Sequence, residues 1–338
     1  MDKHSETNIF FISYLKFIYQ PYSLQIMDGS SGICSMKIFT KLFLLITVLI
    51  YINLFFGPLV RATDSGLACP DWPLCYGKFV PEYTFQIAME VGHRYYSGSI
   101  GIFILIGAII GFINPSLKRF RTLLLLSLFF LGTQVTLGAL TVLKLLDPTT
   151  VNLHLLNAVI LLILSLSIFT ISHWMNRYND YGKFSLSKLT TKRNAFLIFT
   201  FVITAYQLFM GGRVSSHYAG LACPDFPTCY GEWFPEMIGT IRYQMEHRWT
   251  GYLVAVSVFI SLFLGIRFSY TRSSLFALKI SANLIVIQIA IGAFNVLYRI
   301  PKLLTALHTI TGVLLLAILY WVILMQGWLR EEKGESHA

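Results

Sequence analysis

Gly66-Leu-Ala-Cys-Pro-Asp-Trp-Pro-Leu-Cys-Tyr-Gly77 returns later in the chain as Gly220-Leu-Ala-Cys-Pro-Asp-Phe-Pro-Thr-Cys-Tyr-Gly231. The copies stand 154 residues apart, and the same offset carries Cys69 onto Cys223, Cys75 onto Cys229, His93 onto His247 and His154 onto His308. Nothing has to be inserted or deleted between them. The chain is an internal duplication, and each half builds the same unit.

Of the 338 residues, 55% are apolar and only 12% charged. A soluble domain carries about 25% charged residues, so this composition belongs to a membrane protein. A helix crosses the hydrocarbon core with about 20 apolar residues, and the chain offers eight such stretches, near 38–58, 95–113, 121–143, 151–173, 194–212, 249–267, 276–297 and 304–327. The expected fold is an all-α integral membrane protein with eight transmembrane helices, arranged as two pseudo-twofold related four-helix bundles. Residues 36–173 form the first bundle, 174–193 a polar linker, 194–328 the second bundle and 329–338 a tail. Residues 1–35 read as an extension, disordered or a non-native start, since Met27 and Met36 are both natural starts for the first span.

The formal charge of +10 could suggest nucleic acid, but its placement argues against that. Lys118, Arg119 and Arg121 lie between spans two and three, Arg177, Lys183, Lys188, Lys192 and Arg193 between four and five, and Arg267, Arg272 and Lys279 between six and seven. The opposite connections hold fewer. Basic residues mark the cytoplasmic side, so both termini are expected inside and both cysteine loops outside.

Histidine inside a span usually faces a bundle interior or a cavity. Two pairs, His93/His154 and His247/His308, recur with the same 61-residue separation. Two imidazoles from different helices at matching depth are what a six-coordinate haem requires, whereas a zinc or copper site would want more ligands. Gln134/Gly138 and Gln288/Gly292 suit either a flat cofactor or simple helix packing. Arg94 and Arg248, each following a histidine, read as propionate partners or as interface anchors.

The loop cysteines face the oxidising side and lie close in sequence, so disulfides Cys69–Cys75 and Cys223–Cys229 are expected. The repeat breaks at one informative place. Glu90 lies one turn before His93 on the same helix face, and its counterpart is Gln244. The first half therefore has a carboxylate where the second has an amide. Glu90 reads either as a functional acid or as a helix-end charge.

These motifs, Val60-Arg-Ala-Thr-Asp-Ser-Gly-Leu-Ala-Cys-Pro-Asp-Trp-Pro73, Glu90-Val-Gly-His-Arg94, Asn152-Leu-His154, Gln244-Met-Glu-His-Arg248 and Leu307-His308-Thr-Ile-Thr-Gly312, resemble the haem A synthase family of bacteria and mitochondria. The resemblance covers residues 38–327. It implies an oxidoreductase that acts on a CH3 group, converting the C8 methyl of haem O into the formyl group of haem A by two successive hydroxylations, for terminal oxidases. It further implies haem O as substrate between His93 and His154, with Glu90 as the family's essential acid. Haem B would be the resident cofactor on His247 and His308. The implied setting is the bacterial inner membrane, with lipid, a haem O synthase, oxidase assembly factors or further copies of the chain as partners. Two other classes fit the residues: a di-haem b-type electron-transfer cytochrome and a quinone-linked disulfide oxidoreductase.

Overall fold

The computed structural model describes residues 29–178, 183–184 and 191–329. Met27, half of the linker and all of the tail but Leu329 lie outside the described residues. The first helix runs from Gly29 to Ala62, and the part of it apolar enough to cross a membrane begins at Ser35.

Eight helices are long and apolar enough to cross a membrane among the described residues. They are α1 (Gly29–Ala62), α2 (Phe85–Ile113), α3 (Arg121–Leu143), α4 (Pro148–Tyr178), α5 (Lys192–Ser216), α6 (Gly239–Arg267), α7 (Arg272–Leu297) and α8 (Lys302–Gly327). A two-residue antiparallel pair, β1 (Lys183–Phe184) with β2 (Trp328–Leu329), ties the linker to the end of α8. Helices α2 and α6 begin ten residues before the apolar runs that announce them. Thr84 caps α2, its hydroxyl accepting from Ile87 N at 3.2 Å. That cap puts Glu90 and His93 two turns inside a helix rather than at its mouth.

Packing follows the duplication. Helices α1 to α4 close a ring in the order α1-α2-α3-α4, and α5 to α8 close a second ring in the same order. The rings meet where α1 packs on α8 and α4 on α5. These two contacts exchange when the halves are exchanged, as a pseudo-twofold axis between bundles requires. The first core, built on Phe39, Phe43, Leu124, Leu162 and Ile168, continues into Ile310, Val313 and Leu316 of α8. Polar crossings among the described residues include four hydrogen bonds: Tyr51 donates to Ile310 O at 3.3 Å, Arg61 to Ser215 O at 2.8 Å and Asn152 Nδ2 to Phe209 O at 3.3 Å, and the Ser167 and Tyr320 hydroxyls meet at 2.7 Å. In lipid, where apolar contact drives little association, such packing and occasional hydrogen bonds hold bundles together.

Each loop between the first two helices of a half is stapled as expected, by Cys69–Cys75 and Cys223–Cys229. The turn inside each staple is organised by an aspartate. Asp71 accepts from Tyr76 N at 2.6 Å and Gly77 N at 2.8 Å, and Asp225 accepts from Tyr230 N at 2.7 Å and Gly231 N at 2.9 Å. Gly77 and Gly231 have φ of +68° and +81°, a conformation that glycine alone adopts without strain. The Gly77 amide, with the Tyr76 amide and Arg94, holds the Asp71 carboxyl below the ordinary carboxylate range. The Thr228 hydroxyl, with the Gly231 and Tyr230 amides, holds Asp225 down to about 2.

This sets a pH window for the second loop. A carboxyl depressed on folding lends stability that is complete above its ordinary value of 3.8 and is lost as pH falls toward about 2. Exchange at the Tyr230 and Gly231 amides, corrected for intrinsic rates, should therefore accelerate on acidification across that window. Asp225→Asn should flatten the dependence. Protection that stays constant from pH 4 to pH 2 in the unaltered protein would contradict it.

Candidate functional site

All four expected histidines project into the bundles from even-numbered helices: His93 from α2, His154 from α4, His247 from α6 and His308 from α8. Each packs its ring edge against a glycine of the preceding helix. A Cβ built on Gly57, Gly138, Gly211 or Gly292 would lie 3.7, 3.2, 3.1 or 2.9 Å from Cε1 of His93, His154, His247 or His308 respectively. Four residues before each glycine stands an amide side chain: Asn53, Gln134, Gln207 and Gln288. Amide and glycine therefore share one helix face, and the pair forms a cradle repeated four times.

The amides fix the histidine segments as well as the rings. Gln207 Nε2 lies 3.0 Å from His247 Nδ1 and donates to His247 O at 2.9 Å. Gln288 Nε2 donates to His308 O at 2.7 Å, while its oxygen accepts from the Thr311 hydroxyl. In the first half, Gln134 Nε2 lies 3.3 Å from His154 Nε2, and its oxygen accepts from Asn157 Nδ2 at 2.7 Å. Asn53 acts through a relay, donating to Ser97, whose hydroxyl donates to His93 O at 2.7 Å. Sequence reading found two of the four cradles. The others, Asn53/Gly57 and Gln207/Gly211, carry the same spacing and were visible to the same 154-residue offset, with asparagine standing for glutamine in one copy.

The second pair comes together directly. The His247 and His308 ring centres are 6.2 Å apart and the planes nearly perpendicular, at 78°. Metal–imidazole bonds of about 2.0–2.1 Å put two trans nitrogens about 4 Å apart, and a ring radius of roughly 1 Å on either side brings the centres to about 6 Å. The observed separation is of that size, so these residues fit an iron held between two imidazoles. His93 and His154 lie on α2 and α4, the diagonal helices of the first ring, as His247 and His308 lie on α6 and α8 of the second. Among the described residues no group of three or more His, Cys, Asp or Glu side chains could hold a metal ion. Nδ1 of His93, His154 and His308 is buried without a protein partner. A buried unmatched polar atom costs about 1–3 kcal/mol. Carrying that cost at three related places favours a functional role for these rings over a structural one.

Glu90 is buried, 4% exposed, and both its oxygens are engaged. Oε2 accepts from Cys69 N at 2.8 Å, and Oε1 pairs with Arg94 at 2.5 Å. Arg94 also donates to Asp71 O at 2.9 Å and Leu74 O at 2.7 Å. The carboxylate thus joins the histidine-bearing helix to the stapled loop above it. In the second half Arg248 makes the same reach, to Thr228 O and, at 3.2 Å, to Cys223 O. Gln244 there is buried with its side-chain oxygen unpartnered. Both arginines hold loop carbonyls. Glu246, one residue before His247, pairs with Arg213 of α5 at 3.4 Å and with Arg242 of its own helix at 2.8 Å. His217, which has no counterpart in the first half, stacks on Tyr243 with 4.3 Å between ring centres.

Residues 40–320 match the family model COX15-CtaA, described as cytochrome oxidase assembly protein. Curated relatives agree. A protein named heme A synthase from Halalkalibacterium halodurans is 27% identical over 297 residues, covering 86% of this chain and 97% of its own. Proteins of the same name from Bacillus cereus and Bacillus anthracis are each 29% identical over 309 residues, covering 86% of this chain and 94% of theirs.

The cradles rank the glycines. Gly292→Ala should force the His308 ring aside, and overpacking of this kind costs about 1–3 kcal/mol. Gly57→Ala meets ordinary contact and should be neutral, or stabilising by up to about 0.5–1 kcal/mol through the removal of a helix glycine. Thermal unfolding of the two variants in detergent checks the order, and equal effects would show that the cradle does not grip the ring.

Proposed function

The chain belongs to the COX15-CtaA family of cytochrome oxidase assembly proteins, and from that premise we propose that it is a haem A synthase, a membrane oxidoreductase whose substrate is haem O and whose product is haem A. The observation that carries this reading over that of a purely electron-transferring cytochrome is the broken symmetry. Two bundles hold equivalent histidine pairs in equivalent cradles, yet only one has a buried carboxylate, Glu90, one turn from its histidine. A protein that only passed electrons would have no evident use for the difference.

We assign the substrate to the first bundle, with its ring between His93 and His154. His247 and His308 would hold the resident haem B. Held by those two imidazoles, it would supply one-electron redox chemistry. The protein's own share is orientation and exclusion of water. The Asn53/Gly57 and Gln134/Gly138 cradles fix the rings that flank the substrate. The stapled loop, drawn down by Arg94 and Glu90, covers that end of the bundle. At the methyl group each of two hydroxylations replaces a C–H bond by a C–O bond, the oxygen coming from water or dioxygen and two electrons passing each time to an oxidant outside this chain, and the geminal diol formed by the second loses water to leave the formyl group. Glu90 is the buried base available to take up the proton released there or to offset positive charge. For Arg94 and Arg248 the geometry favours loop anchoring over propionate binding, because each guanidinium is already shared among loop carbonyls. In this reading the stapled loops lie on the outer face of the bacterial inner membrane, with both termini in the cytoplasm, and a haem O synthase supplies the substrate.

The assignment of the halves is tested by removing ligands. His247→Ala or His308→Ala should abolish or alter the haem B spectrum of the purified protein, while His93→Ala or His154→Ala should leave it intact. Loss of that spectrum from the first-half variants alone would reverse the assignment.

The role of Glu90 is tested by Glu90→Gln, which keeps an acceptor for Cys69 N and removes the charge. Haem B should stay bound. Conversion of haem O to haem A should fall by about 10²-fold or more, the range of a positioned acid–base group, as read by haem extraction and chromatography from cells that also make haem O. Near-normal haem A would reduce Glu90 to a bracket between helix and loop.

A further inference from the structure

Each stapled loop carries exposed apolar side chains just after its disulfide. In the first, the segment after the disulfide presents Phe79 and Val80 at 72% and 83% exposure. In the second, the equivalent Trp233 and Phe234 are 53% and 81% exposed. Bulky apolar side chains at both places would form exposed patches of a size that monomers rarely leave in water.

Their position supplies the partner. Tyr95, ten residues into α2, donates its hydroxyl to Phe79 O. At the equivalent place in the second half, the Phe234 ring packs on Trp249, ten residues into α6, with 5.6 Å between centres. Ten helical residues span about 15 Å, so each loop folds back along the outside of its helix instead of ending above it. The helix faces it descends are those turned to lipid. Two and four turns beyond Tyr95, on the same side of α2, lie Ile102 and Ile109, 59% and 56% exposed. The same steps from Trp249 along α6 reach Val256 and Phe263, 55% and 65% exposed. The aromatic tips thus continue the lipid-facing stripes upward to the level where tryptophan and tyrosine concentrate at membrane interfaces.

We propose that both disulfide-stapled loops are interfacial anchors, with Phe79, Val80, Trp233 and Phe234 seated in the lipid of the adjacent leaflet. The occupant is lipid and not a protein, because the patches are continuous with the belt that the spanning helices already give to the membrane, and because two unequal sequences in the repeat keep the same placement. Lys78 and Glu232, which close the stapled turns through backbone bridges to Cys75 and Cys229, remain in water. Loop carbonyls accept from Arg94 and Arg248, each next to a site histidine, so anchoring the loops also steadies the ends of both histidine-bearing helices. The inference rests on the membrane reading alone and is independent of the haem chemistry.

The test uses the purified full-length chain in liposomes, where no partner protein is present. Cysteine is introduced singly at Phe79, Phe234, Lys78 and Glu232 in a Cys34→Ser background and labelled with a nitroxide. Collisions with oxygen should exceed those with a water-soluble nickel chelate at 79 and 234, and the order should reverse at 78 and 232. A second measurement avoids introduced thiols. Brominated lipids should quench a component of tryptophan emission that aqueous iodide spares, and Trp233→Phe should remove that component. Nickel-dominated collisions at 79 and 234, or a Trp233 signal quenched by iodide and not by bromolipid, would overturn the proposal and leave the patches as a surface for another protein.

Discussion

The arrangement depends on the approach of one helix to an imidazole on the next. An aromatic side chain with two polar nitrogens is difficult to hold inside a lipid-embedded bundle. Hydrogen bonds can be made to only part of it, and apolar contact is worth no more inside the bundle than against lipid. The protein resolves this with shape. A glycine lets the ring edge lie on the backbone of the neighbouring helix, and an amide one turn earlier takes up a nearby carbonyl, hydroxyl or ring nitrogen. Both parts come from one helix face, so the position of a ring is set by the rotation of a single helix. Four repeats of this device fix four rings, and the helix order within each ring of four follows from which helix must lie beside which.

The loops depend on the same helices through charge. Arg94 and Arg248 each follow the histidine directly, so they leave the helix about 100° around from it and reach the loop rather than the bundle interior. Burying an arginine is tolerable only when its donors are matched, and loop carbonyls provide the match in both halves. In the first half Glu90 adds a second link, from Cys69 N to Arg94. Whatever happens at His93 is therefore coupled mechanically to the stapled turn, whereas in the second half the unpartnered oxygen of Gln244 leaves that link unmade.

Much of this was legible in the sequence. The eight spans, the two disulfides, the duplication and the histidine pairs all follow from hydropathy, spacing and the fixed offset. Helix starts were less legible. Hydropathy marks where a helix enters lipid, while α2 and α6 begin ten residues earlier in polar sequence, where a cap such as Thr84 is the relevant signal. The Asn53/Gly57 cradle escaped notice because an asparagine serves there through Ser97 in place of a glutamine. The pairing of Glu90 with Arg94, four residues apart on one helix, follows from spacing, but their partners in the loop could not be read. Contacts between a helix and the turn of a loop some twenty residues away depend on how the staple folds, which no local pattern encodes.

The way the two rings meet bears on how such a chain arose. Contacts between α1 and α8 and between α4 and α5 exchange under the repeat, and that is the geometry two identical half-chains adopt in a symmetric dimer. The linker between α4 and α5 then records a fusion of two copies that already fitted one another. Identical subunits must carry identical residues at both sites, so a homodimer could not hold a carboxylate at one position and an amide at its mate. Fusion lifts that restriction. The Glu90 and Gln244 difference is a specialisation open only to a chain that contains its own former partner.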